Sequence, residues 1–342
     1  MSLVQAYFEK ALSKISSEEN ISHKNYKIGK RFFRVNYNSD NILKALGSSI
    51  SHLTVFQTLD FNLEIFCMDL SVMKHKIYKP SWVLDSFVNG YSKKLDTKRF
   101  RVFYPSEMNR IYLFDQKLNI GLALYNKIEQ IPWWEKTFSF RYIFHCWTLG
   151  FNAQLIHSGA IKQSKKGAYL ITGASGSGKS TSCLSLLRGG FGYLGDDYVW
   201  IEKEKSWMVY CLYQTAKIVK STLYDRFPDL KKYVLNKNLI GSEKYVLDLG
   251  FIYPKKMCKK AKILGILIPQ INHSEESIIS KTNSQSAILS IAPTTLYHLP
   301  HSREIAYKKI MNLCVSMPKY HWNLSQYDEI NSKAFSKFKL NE

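Results

Sequence analysis

The sequence predicts an α/β protein, and three observations carry that reading. An apolar run, Ala168-Tyr-Leu-Ile-Thr172, feeds a glycine-rich turn, Gly173-Ala-Ser-Gly-Ser-Gly178-Lys179-Ser180-Thr181, that opens onto helix-forming residues. Between residues 26 and 114 short segments alternate polar and apolar positions, with aromatic and β-branched side chains at period two, as half-buried strands do. In the second half, segments with helical spacing stand between and after strand-like ones.

Taken in order, residues 1–20 read as an amphipathic helix with Tyr7, Phe8, Leu12 and Ile15 on one side. Strands are expected at residues 30–37, 63–67, 99–104 and 110–114, with a capped helix over residues 38–46. Residues 132–147 are apolar at helical spacing after Pro132 and read as one helix. Residues 154–161 read as a strand, 162–167 as a turn and 168–172 as the returning strand, a hairpin placed immediately before the glycine-rich turn. The helix after that turn ends at Gly189-Gly190, and residues 191–201 form a strand interrupted by Asp196 and Asp197. Residues 202–205 read as a solvated turn. Residues 207–213, 263–268 and 287–291 read as strands, and 221–227 and 303–314 as helices. A chain of 342 residues exceeds the usual single domain. The expected division is a strand-rich α+β part over residues 1–150 and a second part over 151–342.

Composition narrows the classes. The longest apolar run, residues 263–268, ends at Pro269 and is too short for a membrane span, and no signal-peptide core opens the chain. The six cysteines (Cys67, Cys146, Cys183, Cys211, Cys258 and Cys314) contain no C-x-x-C pair. That spacing argues against a zinc site or a disulfide framework and for a reducing, cytoplasmic setting. The formal charge of +21 is mostly Lys, spread in pairs such as Lys231-Lys232 and Lys259-Lys260. It forms no arginine-rich stripe, which argues against a nucleic-acid partner, whereas an acidic protein or peptide fits the charge. His23, His52 and His75 are isolated and read as ordinary surface or core residues.

The turn fits G-x-x-x-x-G-K-[ST], the pattern that binds nucleotide phosphates. Gly173, Gly176 and Gly178 permit backbone conformations and close approaches that a Cβ blocks. The N–H groups of Gly173, Ala174, Ser175, Gly176, Ser177, Gly178, Lys179, Ser180 and Thr181 can then cradle phosphate oxygens, aided by the helix dipole. Lys179 reaches the β/γ-phosphates and is expected to face solvent without a ligand, while the Ser180 hydroxyl completes the coordination of Mg²⁺. Asp196 lies one helix, one turn and one return strand beyond Lys179, where a carboxylate can hold that cation. The adjacent carboxylate of Asp197 gives a second acid to accept a hydroxyl proton. ATP and Mg²⁺ are the cofactors this pattern implies.

With His157-Ser-Gly, the glycine-rich turn and Tyr193-Leu-Gly-Asp196-Asp197 in this order, the chain resembles the HPr kinase/phosphorylase family, and more closely its serine-kinase relatives of the peptide-modification type. Looser similarity extends through residues 212–217, 243–247, 293–300 and 318–324, so that the resemblance covers roughly residues 130–330. It implies a phosphoenolpyruvate-carboxykinase-like P-loop core, a mixed and strongly bent sheet, and phosphoryl transfer to a hydroxyl, usually of serine. It also implies that His157 lines the acceptor side and that Asp196 and Asp197 share cation binding and base chemistry. Adjacent strand residues face opposite ways, so the sequence does not assign the two roles; Asp196 is favoured as the base and Asp197, with Ser180, as the metal ligand. Ala174 stands where bacterial HPr kinases carry an acid, and their downstream HPr-binding signature is absent. The implied acceptor is therefore a serine of another peptide or protein, or a small-molecule hydroxyl. A non-catalytic nucleotide-dependent binding module is the competing class, and homo-oligomerisation is left open.

Overall fold

The computed structural model describes residues 2–56, 60–83, 87–88, 90–105, 110–239 and 244–338. Glu243, which belongs to the resemblance above, lies outside them. The chain packs as two units, Met1–Gly150 and Phe151–Glu342, both of mixed α/β structure.

Among the described residues the first unit has a seven-stranded sheet in the order Thr54–Val55, Ser22–Ile28, Arg31–Tyr37, Leu63–Asp69, Ile120–Tyr125, Arg110–Asp115 and Phe100–Phe103. Leu63–Asp69 runs parallel to both neighbours, and the remaining pairs are antiparallel. The helix Leu3–Ser16 covers one face of it. Ser2 caps that helix by accepting from the Gln5 N–H at 3.1 Å. Val4, Phe8, Ala11 and Ile15, spaced to share one side of a helix, are buried against Phe100, Val102, Leu113 and Leu124.

The single helix expected after Pro132 is two, Trp133–Thr137 and Arg141–Thr148. The break comes at Phe140, whose φ of 60° is left-handed, beside Ser139, whose hydroxyl donates to the Leu46 carbonyl at 2.7 Å. Arg141–Thr148 then lies close on the sheet, since a Cβ at Gly121 would meet Ile143 Cγ2 at 2.7 Å. Glu135, fully buried, is shared between Arg110 at 3.3 Å and Arg141 at 3.9 Å, and it accepts a hydrogen bond from the Tyr112 hydroxyl. Burial and the Glu135 charge push that hydroxyl far above its usual pKa, so it remains a donor.

The second unit is built on one long strand, Lys260–Ser274. Its first residues pair antiparallel with Trp207–Tyr210; from Ile263 onward it runs parallel to Gly167–Ile171, and from Ile266 also to Lys319–Ser325. The nine-stranded sheet among the described residues is therefore in two parts joined by this strand. The expected strand over residues 154–161 divides accordingly at Ser158. Ala153–His157 pairs with Tyr198–Lys203 in one part, and Gly159–Ser164 pairs with Gly167–Ile171 and Gly192–Gly195 in the other.

Helices cover both faces. Lys179–Arg188 buries Cys183, Leu184, Leu186 and Leu187 against Tyr169, Tyr193, Trp322 and Phe335. Ser284–His298 and Arg303–Ser316 bury Ala287, Ile291, Ile310 and Leu313 against Leu170, Val199 and Ile266. Residues 287–291, expected as a strand, thus lie in a helix. An apolar run of that length has no period that separates strand from buried helix, and the Asn283 side chain starts the helix by accepting from the Ser286 N–H at 2.9 Å. No helix among the described residues is long and apolar enough to cross a membrane.

Glu135→Gln keeps the side-chain volume but leaves Arg110 and Arg141 without their buried counter-charge. A loss of about 3–5 kcal/mol is expected in the first unit's unfolding transition. Urea unfolding followed by far-UV circular dichroism measures it; an unchanged midpoint would show that the buried charges do not hold this unit together.

Candidate active site

Two stretches of chain cross between the two parts of the second unit's sheet side by side. One is His157-Ser158-Gly159 and the other is Gly195-Asp196-Asp197-Tyr198. Tyr198 pairs with His157 on one side of the crossing and Gly195 with Ala160 on the other, and the Ser158 N–H donates to the Asp197 carbonyl at 3.0 Å between them. The crossing is too close for side chains at two positions. A Cβ on Gly159 would lie 2.4 Å from Cys183 Sγ, and one on Gly195, at φ 156°, 2.4 Å from Val199 Cγ1. Asp196 and Asp197 are therefore buried by the backbone path, at 2% and 8% exposure.

The glycine-rich turn follows the neighbouring strand Gly167–Ile171 and ends at the helix Lys179–Arg188. Gly173, Gly176 and Gly178 have φ of 150°, 82° and 95°, all positive. At Gly178 a Cβ would also meet Leu324 Cδ1 at 2.9 Å, whereas Gly176 faces open space. Ala174, Ser175 and Gly176 are exposed, Ser177, Gly178, Ser180 and Thr181 half-buried. Lys179, expected to face solvent, is instead 6% exposed and donates to the Gly173 and Ala174 carbonyls at 2.7 and 2.9 Å. Burial draws its pKa below the usual value, against the upward pull of Asp197 and Asp196.

The two acids sit in different company. Asp197 Oδ1 lies 3.2 Å from His157 Nε2, and Oδ2 is 2.8 Å from Lys217 Nζ. Burial opposes its charge, but Lys217 and His157 outweigh burial and hold its carboxyl well below the usual range. Asp196 is pushed up to about 7 by burial and by the charge of Asp197, with the Ser180 hydroxyl and the Lys217 N–H pulling the other way. Its Oδ2 accepts from that N–H at 3.4 Å, while its Oδ1 is buried with no hydrogen-bond partner among the described residues. A buried, unsatisfied carboxylate oxygen beside a half-buried hydroxyl is a fitting donor set for a hard divalent cation. Among the described residues no cluster of three or more His, Cys, Asp or Glu side chains could hold a metal ion.

The structure brings His157, Lys179, Ser180, Asp196 and Asp197 together through these contacts. The Ser180 hydroxyl acts on Asp196, and His157 lies against Asp197. Sequence reasoning gave no role to Lys217, which comes from the separate strand pair Thr215–Ile218 and Tyr245–Asp248. It also passed over Thr295, whose hydroxyl accepts from the His157 N–H at 2.9 Å. Neither residue carries a local signal, since each reaches the site only through tertiary packing.

No protein-family model matches the chain, and no curated protein resembles it in sequence. Among solved structures, the Hpr(Ser) kinase/phosphatase from Coxiella burnetii aligns over 53% of this chain and 93% of its own, at 12% identity and a TM-score of 0.32. That is a distant structural likeness.

Asp196 makes stability depend on pH with a definite sign. Unfolded, its carboxyl ionises near the ordinary value of about 4. Folded, it keeps its proton up to about 7. Between those values the folded chain holds a proton that the unfolded chain has released, so this group's contribution to stability falls as pH rises. Asp196→Asn removes that slope and should gain stability relative to the parent at pH 8 but not at pH 4. Denaturant midpoints at the two pH values check it; an equal difference at both would refute the raised pKa.

Proposed function

We propose that the second unit is an ATP- and Mg²⁺-dependent kinase that passes a γ-phosphoryl group to a hydroxyl, that of a serine in a peptide or protein. The observation that carries this reading is the meeting of a glycine-rich strand-to-helix turn, with its lysine, and a buried carboxylate pair. The proposal therefore includes a P-loop core for residues 151–342 and an acceptor-docking role for residues 1–150.

Residues 173–181 would hold the triphosphate by backbone N–H groups. Lys179 would exchange the Gly173 and Ala174 carbonyls for phosphate oxygens, which bear more charge than the carbonyls it leaves. Ser180 and Asp196 would hold the divalent cation, whose chemistry is to offset charge on the phosphates. Asp197, fixed by Lys217 and His157, would orient the acceptor hydroxyl and take its proton as the new O–P bond forms and the bond to the leaving diphosphate breaks. A carboxylate so strongly paired is a weak base. Phosphoryl transfer asks mainly for position and charge compensation, so weak basicity is compatible with the role.

The test is phosphate transfer from ATP and Mg²⁺ to serine peptides, read as a mass increase. Lys179→Ala is expected to lower the rate on the order of 10³-fold with its unfolding midpoint checked in parallel. Asp196→Asn should raise the Mg²⁺ concentration needed for half-maximal rate, whereas Asp197→Asn should lower the maximal rate itself. Near-parental turnover by a folded Lys179→Ala would end the reading; the two Asp variants exchanging effects would reverse the roles.

A further inference from the structure

The first unit contains a cleft of about 350 Å³ between the helix Leu3–Ser16 and residues 77–82. Its apolar wall includes Leu3, Ala11 and Ile77, together with Tyr7 and Trp82, whose rings meet edge to face at 5.8 Å. Three cations also line it, Lys10, Lys14 and Lys79, and no acidic side chain is among its lining residues in the described chain. Lys10 and Lys79 are exposed. A separate small pocket of about 10 Å³ shares Tyr7, Lys79 and Pro80 with the cleft and is lined by Arg110 as well. That volume suits about one water molecule.

Arg110 is 3% exposed, and while its Nη2 donates to Glu135, its buried Nε has no hydrogen-bond partner among the described residues. The cleft itself is lined by cations and apolar groups together.

We propose that this cleft binds an acidic peptide segment. An apolar side chain would pack against Tyr7 and Trp82, and flanking carboxylates would meet Lys10, Lys14 and Lys79. A single nucleic-acid strand fits less well. It needs several open ring faces in a groove that follows its backbone, whereas two of the three rings lining this cleft, Tyr7 and Trp82, are turned onto one another and Tyr78 is the exposed third. That the bound segment is also the phosphoryl acceptor rests on the functional reading above; the binding does not.

The full-length protein, without nucleotide, is titrated into a fluorescein-labelled peptide of two leucines flanked by glutamates, and anisotropy is read. The peptide is expected to bind, to bind more weakly as salt rises, and to lose about tenfold or more in Kd with Lys10→Glu/Lys79→Glu. Trp82→Ala should weaken it with every charge in place. Three results would overturn the proposal: no binding, equal binding by the charge-reversed protein, or equal binding of a glutamine-for-glutamate peptide. Displacement by an oligouridylate at equal concentration would assign the cleft to nucleic acid instead. Because no ATP is present, these outcomes stand apart from success or failure of the phosphoryl-transfer test.

Discussion

The hydrogen bond from the Ser158 N–H to the Asp197 carbonyl is the constraint on which the second unit's site depends. It ties together two chain crossings that each leave one part of the sheet for the other. Strand pairing on either side fixes their register, so the side chains at the crossing have no freedom to leave it. Gly159 and Gly195 follow from that closeness, since a Cβ at either would enter a neighbour already at van der Waals contact. So does the burial of two adjacent acids, which no chain places in its interior without a compensating arrangement.

The compensation is uneven, and the unevenness makes the site. Asp197 receives Lys217 and His157 and is well satisfied, whereas Asp196 receives a backbone N–H and keeps one oxygen without a partner among the described residues. Lys179 is held by the Gly173 and Ala174 carbonyls, a weaker set of partners than an anion offers.

The first unit treats charge differently. Its interior holds Glu135, Arg110 and Arg141 behind Tyr112, Tyr125 and Tyr142, all within the sheet and helices of that unit. Trp134 lies under both guanidinium groups, at 4.9 Å from Arg110 and 4.6 Å from Arg141. Flat cations stacked on rings tolerate burial better than a lysine would. The aromatic richness of the sequence here serves to hold charge inside a core as well as to fill it.

The sequence by itself determined the α/β class and its local pieces. Period-two aromatic segments became strands because that pattern buries one face of a pleated sheet, and the glycine-rich turn joined a strand to a helix because only glycine accepts its positive φ values. Residues 287–291 lie in a helix because so short an apolar run has no period that separates strand from buried helix, and residues 132–147 divide because the break at Phe140 is held by a remote partner, Leu46 for Ser139. The His157, Lys179, Ser180, Asp196 and Asp197 candidates were legible as residue types at meaningful spacing. Which acid faces which partner was not. That was decided by the tertiary structure, because the split of one strand at Ser158 and the arrival of Lys217 from a separate strand pair set the two electrostatic environments. Charge interactions depend on distance in space and on burial, and neither is encoded in the order of neighbouring residues.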